Sequence, residues 1–214
     1  MMMYLIRKFY RALRVLYYKM ARVYSWIISC LKFYLNGVQF SYDFIGFGIP
    51  ILDINMRGKF TIGRRFRFNS GKYHAMGGRQ QQCYFVVAEG AELSIGENVG
   101  VTSVAIICHD KISIGNNVKI GINTVIYDTD FHSLDARYRN SYPERLDGVK
   151  SRPVVIKDGA FIGGHSTILK GVTIGRNSIV GAGSVVFQDI PDEQIWIGNP
   201  ARFVKENQYS AVLI

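Results

Sequence analysis

Six residues separate Ile156 from Ile162, and the same step recurs at Ile168, Ile174, Val180 and Val186. Ala160, Ser166, Val172, Ser178, Ser184 and Ile190 each follow by four, and Gly163, Gly175 and Gly181 follow three of them by one. A helix face recurs every 3.6 residues and a half-buried strand every two, so a period of six is neither, and Gly at this density would break a helix. It is a structural repeat, which decides the architecture. A coil of three short flat strands, about 18 residues per turn, turns one aliphatic residue inward on each side and needs a small residue at each tight corner. Coils stacked about 4.8 Å apart pair each strand with the one above and fill a continuous core. The spacing therefore predicts a mainly β chain, folded as a parallel β-helix with the form of a triangular prism.

The beat is also present earlier, at Ile114, Ile120 and Ile126, and at Ile95, Val101 and Ile107 with one residue inserted. Steps of eight, Ile54 to Ile62 and Val87 to Ile95, point to less regular coils before these. The chain is read as a basic segment over residues 1–42, a prism over 43–205 and a tail over 206–214. Within the prism the rule lapses, and residues 133–152, SLDARYRNSYPERLDGVKSR, form a charged excursion. A loop of this length in a compact repeat is usually functional. At its root stands DTDFHSLD, in which His132 follows Asp128 and Asp130 by four and two residues. Three roles are open to this His: a general base steadied by one of the two carboxylates, a metal ligand, or a turn residue. A single His with carboxylates is a poor zinc set, and no metal is expected. His74, His109 and His165 lie outside the motif, and His165 falls at a coil corner on the surface.

The net charge of +10 is concentrated at one end. Residues 1–42 hold Arg7, Lys8, Arg11, Arg14, Lys19, Arg22 and Lys32 and no acid, which leaves +3 for the other 172 residues. On a helical wheel these seven fall within an arc of about 140°, opposite Leu5, Phe9, Leu13, Leu16, Met20, Ile27 and Leu31. The uncharged run Val23 to Leu31 is far shorter than the roughly 20 residues that cross a bilayer. Such an amphipathic helix either lies on an anionic membrane surface, with its apolar face in the acyl boundary, or packs that face on the protein or a sister subunit. No nucleic-acid-reading motif accompanies the cations, so no nucleic-acid partner is expected. Three cysteines, Cys30, Cys83 and Cys108, offer neither a disulfide framework nor a zinc knuckle, which fits a reducing compartment.

IGNNVKIGINTVIYDTDFH and FIGGHSTILKGVTIGRNSIVGAGSVVFQDIPDEQIWIGNPARFVK, closing through GAGSVV and GNPAR, resemble the hexapeptide-repeat acyltransferases. The likeness covers roughly residues 50–205 and is nearest to the maltose, galactoside and polysaccharide O-acetyltransferases. It implies a left-handed β-helix, an exception to the usual right-handed crossover. It also implies homotrimers with active sites in the clefts between prisms, and acetyl-CoA as co-substrate. On that resemblance His132 is the catalytic base, with Asp130 or Asp128 on its other ring nitrogen. Gly164 and Ala182 offer main-chain contacts to the pantetheine arm, and Arg202 and Lys205 meet the cofactor's phosphates. Ser103 stands where similar enzymes carry an Asn near the catalytic His, and Phe187 where a cofactor-contacting Thr is common. His109 is a candidate for the border of the acceptor pocket. With the basic helix, the acceptor is expected to be a saccharide, lipid-linked, of a bacterial surface polysaccharide, and the protein to be peripheral on the cytoplasmic face of the membrane. The alternatives are a soluble sugar or antibiotic acetyltransferase and a catalytically silent membrane-bound scaffold.

Overall fold

The computed structural model describes residues 1–71 and 81–208, so His74 and most of the 206–214 tail lie outside the described residues. Three sheets form the sides of a left-handed parallel β-helix preceded by a helix. The first face stacks Gln39–Phe40, Lys59–Ile62, Glu92–Ile95, Lys111–Ile114, Val154–Ile156 and Thr173–Ile174. The second stacks Ile45–Phe47, Arg67–Asn69, Gly100–Thr102, Lys119–Ile120, Phe161–Ile162 and Ile179–Val180, then closes with Gln194–Gly198 and the antiparallel Ala201–Glu206. The third stacks Ile51–Ile54, Tyr84–Val87, Ala105–Cys108, Val125–Tyr127, Thr167–Ile168 and Val185–Val186. Six coils result, and every strand pair before the closing hairpin is parallel.

Register and burial follow the beat. Ile156, Ile162, Ile168, Ile174, Val180 and Val186 are completely buried, each contributing roughly 1.5–3 kcal/mol of transfer free energy. Ser166, Ser178 and Ser184 are buried at corners, where each hydroxyl donates to a backbone carbonyl: Gly163, Pro191 and Gly181 respectively. A residue at such a corner must therefore be small and must also satisfy a carbonyl that the bend exposes. Close stacking explains the glycines, since a Cβ on Gly163 would lie 2.5 Å from the Ala182 nitrogen.

One expected position is corrected. Ile106 pairs with Ile126 and is fully buried, whereas Ile107 pairs with Tyr127 and is only partly so. The corner at Ser103–Val104 is one residue shorter than the repeat, so inward and outward exchange. Among the early strands, Lys59–Ile62 and Tyr84–Val87 run to four residues and turn two of them inward, and the core there is rich in Phe: Phe60, Phe66, Phe68 and Phe85.

Helix α1 spans Met2–Leu35. Residues 1–20 are exposed on all sides, while the last three turns cap the open end of the prism. Phe33 is completely buried, its ring 5.2 Å from Phe40, 5.5 Å from Phe44 and 6.4 Å from Phe68. The Ser25 hydroxyl accepts the Gly48 N–H at 3.1 Å, Trp26 donates to the Tyr42 carbonyl, and Lys32 donates to the Pro50 carbonyl at 2.7 Å. The docked face, Ser25, Ser29 and Phe33, is not the oily one. Leu5, Phe9, Leu13, Leu16, Met20, Val23, Ile27 and Leu31 are all exposed, on the side away from the coils. Among the described residues no helix is long and apolar enough to cross a membrane.

Candidate active site

The excursion leaves the prism at the corner between the third and first faces. Thr129 bridges Ser151 in antiparallel fashion, the Asp130 N–H donates to the Lys150 carbonyl at 3.1 Å, and the Arg152 N–H donates to the Asp128 carbonyl at 2.8 Å. Asp128 is fully buried, and its two carboxylate oxygens accept the N–H groups of His109 at 2.7 Å and Asp110 at 2.8 Å, in the same corner one coil earlier. The tight turn would otherwise leave both donors without partners. Asp130 faces the following coil, where it pairs with the Lys170 ammonium. The two acids thus tie the root of the loop to the coils on either side. Asp128→Ala is expected to lose roughly 1–3 kcal/mol of stability, because the N–H groups of His109 and Asp110 lose the acceptor that a fully buried side chain provides. Equilibrium urea unfolding checks this, and an unchanged midpoint would contradict it.

His132 stands beyond Phe131, whose positive φ of 64° turns the chain outward. The imidazole is 63% exposed, and its Nδ1 lies 2.9 Å from Glu144 Oε1. The ring's carboxylate partner is therefore neither Asp128 nor Asp130, both of which are engaged within the stack. Glu144 lies twelve residues further on, within the excursion, where no periodicity indicates which side chains meet. The only sequence signal was an acid inside the charged loop. The loop is ordered by its own polar groups: helix α2, Ala136–Arg139, is capped by the Asp135 side chain, Arg139 donates to the Ser133 carbonyl, and the Arg145 guanidinium lies 4.8 Å from the centre of the Tyr138 ring. An ionised Glu144 only accepts, so the neutral imidazole carries its proton on Nδ1 and presents the lone pair of Nε2. Beside it, His109 packs edge-on to Phe131 at 5.8 Å, and Tyr127 does so at 5.1 Å. One corner therefore gathers His109, Phe131, His132 and Glu144.

The remaining sequence-selected residues, Lys205 excepted, lie at or beside the corner between the second and third faces. Ser103 is completely buried with φ 48°, and its hydroxyl has no hydrogen-bond partner. It is thus closed off from the surface on which His132 stands. His165, with φ 61°, is exposed at the same corner two coils later. Gly164 and Ala182 lie one above the other there, the Gly164 carbonyl accepting the Gly183 N–H at 2.9 Å, while the N–H groups of Gly164 and Ala182 make no hydrogen bond among the described residues. Arg202 pairs with Ile197, which packs on Gly181, and its guanidinium covers the Phe187 ring at 5.6 Å. Lys205 pairs with Ile195, further along the strand toward the next corner. Within one chain, then, Gly164, Ala182 and Arg202 come together, Lys205 is set apart, and His132 is roughly 20 Å of strand and corner away.

No cysteine is prepared to form an acyl intermediate. Burial pushes the Cys83 thiol up to about 12. Burial and the neighbouring Asp128 carboxylate push Cys108 well above its ordinary value, and burial raises Cys30. A thiol is nucleophilic only as thiolate, which all three environments disfavour. Among the described residues no three His, Cys, Asp or Glu side chains converge as a metal site would require.

Residues 153–188 match the family model described as bacterial transferase hexapeptide (six repeats). The matched residues make up the last two coils of the prism. Curated proteins similar to this chain include one of Saccharomyces cerevisiae named as a candidate acetyltransferase, 38% identical over 119 residues that cover 55% of this chain and 57% of the relative. A Staphylococcus aureus protein named in the same way is 40% identical, covering 45% of this chain and 55% of its own. The chain spans about half the length of these relatives. Among solved structures, a hexapeptide-repeat-containing acetyltransferase of Vibrio cholerae, complexed with acetyl coenzyme A, superposes with a TM-score of 0.52 at 26% identity, covering 84% of this chain and 75% of that one. The Bacillus cereus N-acyltransferase AntD shares the fold, with a TM-score of 0.61 at 22% identity over 80% of this chain and 83% of its own.

Proposed function

We propose that this chain is an acetyl-CoA-dependent O-acetyltransferase that acts on a saccharide hydroxyl. The observation that carries this reading is the exposed His132 ring, held at Nδ1 by Glu144 with Nε2 open to an incoming group. Nε2 accepts the acceptor's hydroxyl proton as that oxygen attacks the thioester carbonyl. The tetrahedral adduct then collapses with cleavage of the carbon–sulfur bond, and the imidazolium returns its proton to the departing CoA thiolate. Acetyl transfer and acetyl-CoA are supported by the similar proteins named as acetyltransferases and by the similar Vibrio cholerae structure with acetyl coenzyme A. The N–H groups of Gly164 and Ala182, which make no hydrogen bond among the described residues, suit the amide carbonyls of a pantetheine arm, and Arg202 suits a phosphate. Lys205 is a second, more distant cation for the same phosphates.

A homotrimer is part of this reading. His132 and the Gly164–Ala182 corner lie on different edges of one prism, so a neighbouring copy brings its cofactor corner against His132. Tyr142, Leu134 and Leu146 on the excursion are exposed apolar side chains suited to that neighbour. His109 then borders the acceptor, whereas the buried Ser103 acts only through the backbone at its corner. The test is release of CoA thiol from acetyl-CoA, measured with and without saccharide acceptors. Release that requires a saccharide and survives chelation is expected. Release independent of saccharide, or abolished by chelator, would overturn the general-base reading.

The apolar face of α1, on a helix that carries seven cations on its opposite side and no acid, suits an anionic membrane surface on the cytoplasmic side, where acetyl-CoA is made. A lipid-linked saccharide is the acceptor that such a location offers. Because Phe33 and Ser29 belong to the packed end of the prism, the test keeps the helix and changes its outer face. Leu16→Glu with Met20→Glu is expected to cut co-sedimentation with anionic vesicles at least tenfold, while the parent's binding weakens with salt. Equal sedimentation of parent and variant would remove the membrane from the account.

A further inference from the structure

The contacts of α1 carry more than its affinity for a surface. Among the described residues the side-chain hydrogen bonds between its docked turns and the prism all go to the first coil: Ser25 accepts from Gly48, Trp26 donates to Tyr42 and Lys32 donates to Pro50. The buried Phe33 ring closes the core from the same end. The helix thus lies across the end of the prism and not along a side. Ser25, Ser29 and Phe33 face the coils, and Met20, Val23, Ile27 and Leu31, about half a turn of the wheel away, face outward along the prism axis.

We infer that the prism stands upright on the bilayer, first coil down, and that its acceptor is an extended lipid-borne oligosaccharide. This rests on the membrane reading above and goes beyond it by fixing orientation and substrate length. An in-plane helix buries its apolar face at the acyl boundary, so whatever is docked on its opposite face is held in water. His132 leaves the fourth coil. Three coil spacings and the distance from the helix to the first coil place it about 25 Å above the helix axis. The headgroup layer accounts for only about 5–8 Å of that height. The first sugar on a lipid phosphate sits in or just above that layer and falls short of His132. A saccharide of several units reaches it. In a trimer whose threefold axis runs along the prisms, the three helices lie at one end in a common plane, and all three clefts stand at the same height. The cations on the prism side of α1 lie toward water, where the longest of them reach back to lipid phosphates.

Two measurements on the full chain test this, with Cys30 replaced by Ser. A donor dye is attached at Met56→Cys or at Gln188→Cys, and the vesicles are phosphatidylcholine with phosphatidylglycerol carrying a headgroup acceptor dye. Both residues are exposed and lie at the same prism corner, after the first and sixth coils, five spacings or about 24 Å apart. Energy transfer from position 56 is expected to exceed that from position 188 severalfold. Equal transfer, or a reversed order, from vesicle-bound protein would overturn the upright orientation and leave membrane binding standing. Absence of binding would overturn both. In the second measurement, a synthetic lipid-linked tetrasaccharide in these vesicles is expected to be acetylated at least tenfold faster than the lipid-linked monosaccharide, with the difference lost in detergent solution. Equal rates on vesicles would contradict the height, and a difference that persists in detergent would assign the preference to the cleft itself.

Discussion

His132→Asn is expected to lower kcat by roughly 10² to 10⁴ while leaving affinity for acetyl-CoA within about twofold of the parent. Asn approximates the size and hydrogen-bonding capacity of His but cannot take a proton at neutral pH. The cofactor's proposed contacts, at Gly164, Ala182 and Arg202, lie on another corner of the prism and stay intact. Glu144→Gln should act through the ring it holds. A Gln amide can donate to Nδ1, which favours the tautomer protonated on Nε2 and removes the lone pair that the acceptor needs. A loss of roughly 10-fold to 10²-fold in kcat, with unchanged KM for acetyl-CoA, is expected from that change. The two substitutions share one unit, so the double variant should be little worse than His132→Asn alone. Losses that multiply would show that Glu144 has a separate task, and an unaffected Glu144→Gln enzyme would show that the 2.9 Å contact does not orient the base.

Phe33→Ala carries the largest expected stability loss, about 3–5 kcal/mol. Its ring has no exposed surface and fills the end of the core against Phe40, Phe44 and Phe68. The same ring holds the last turns of α1, so Trp26, which stacks on Phe44 at 6.1 Å, should report undocking through its fluorescence. Phe9→Ala is the control, since that side chain is exposed and should change neither property. Equal loss from the two substitutions would mean that α1 contributes to stability through something other than its seat on the first coil.

The later coils were legible because one physical demand, a dry triangular core of constant width, repeats every six residues. Ile156 through Val186 meet it without exception. Where width varies, the pattern blurs. The short corner at Ser103 shifts the inward residue from Ile107 to Ile106, and the Phe-filled early coils use longer strands. The site was half legible for the same reason. His132 could be placed at the root of the loop because the loop is where the beat stops. Its contact with Glu144 depends on how a nonrepeating excursion folds back, and spacing carries no such information. Asp128 and Asp130 attracted attention by proximity in sequence, yet their carboxylates serve the neighbouring coils. The wheel of α1 identified its oily face, but the helix docks by the opposite one. Ser25 and Ser29 allow close approach, and one Phe suffices to close the core.

In the proposed reaction an acetyl group passes from CoA to a saccharide oxygen with His132 as the base. Its most direct measurement is the fate of a labelled acetyl group after incubation of the full chain with labelled acetyl-CoA and a hydroxyl-bearing saccharide that also carries a free amino sugar. The expected product is a labelled ester on the saccharide, released by mild alkali, formed by the parent protein and reduced at least a hundredfold in His132→Asn. Label that survives alkali as an amide, or an ester formed equally well by the variant, would contradict it.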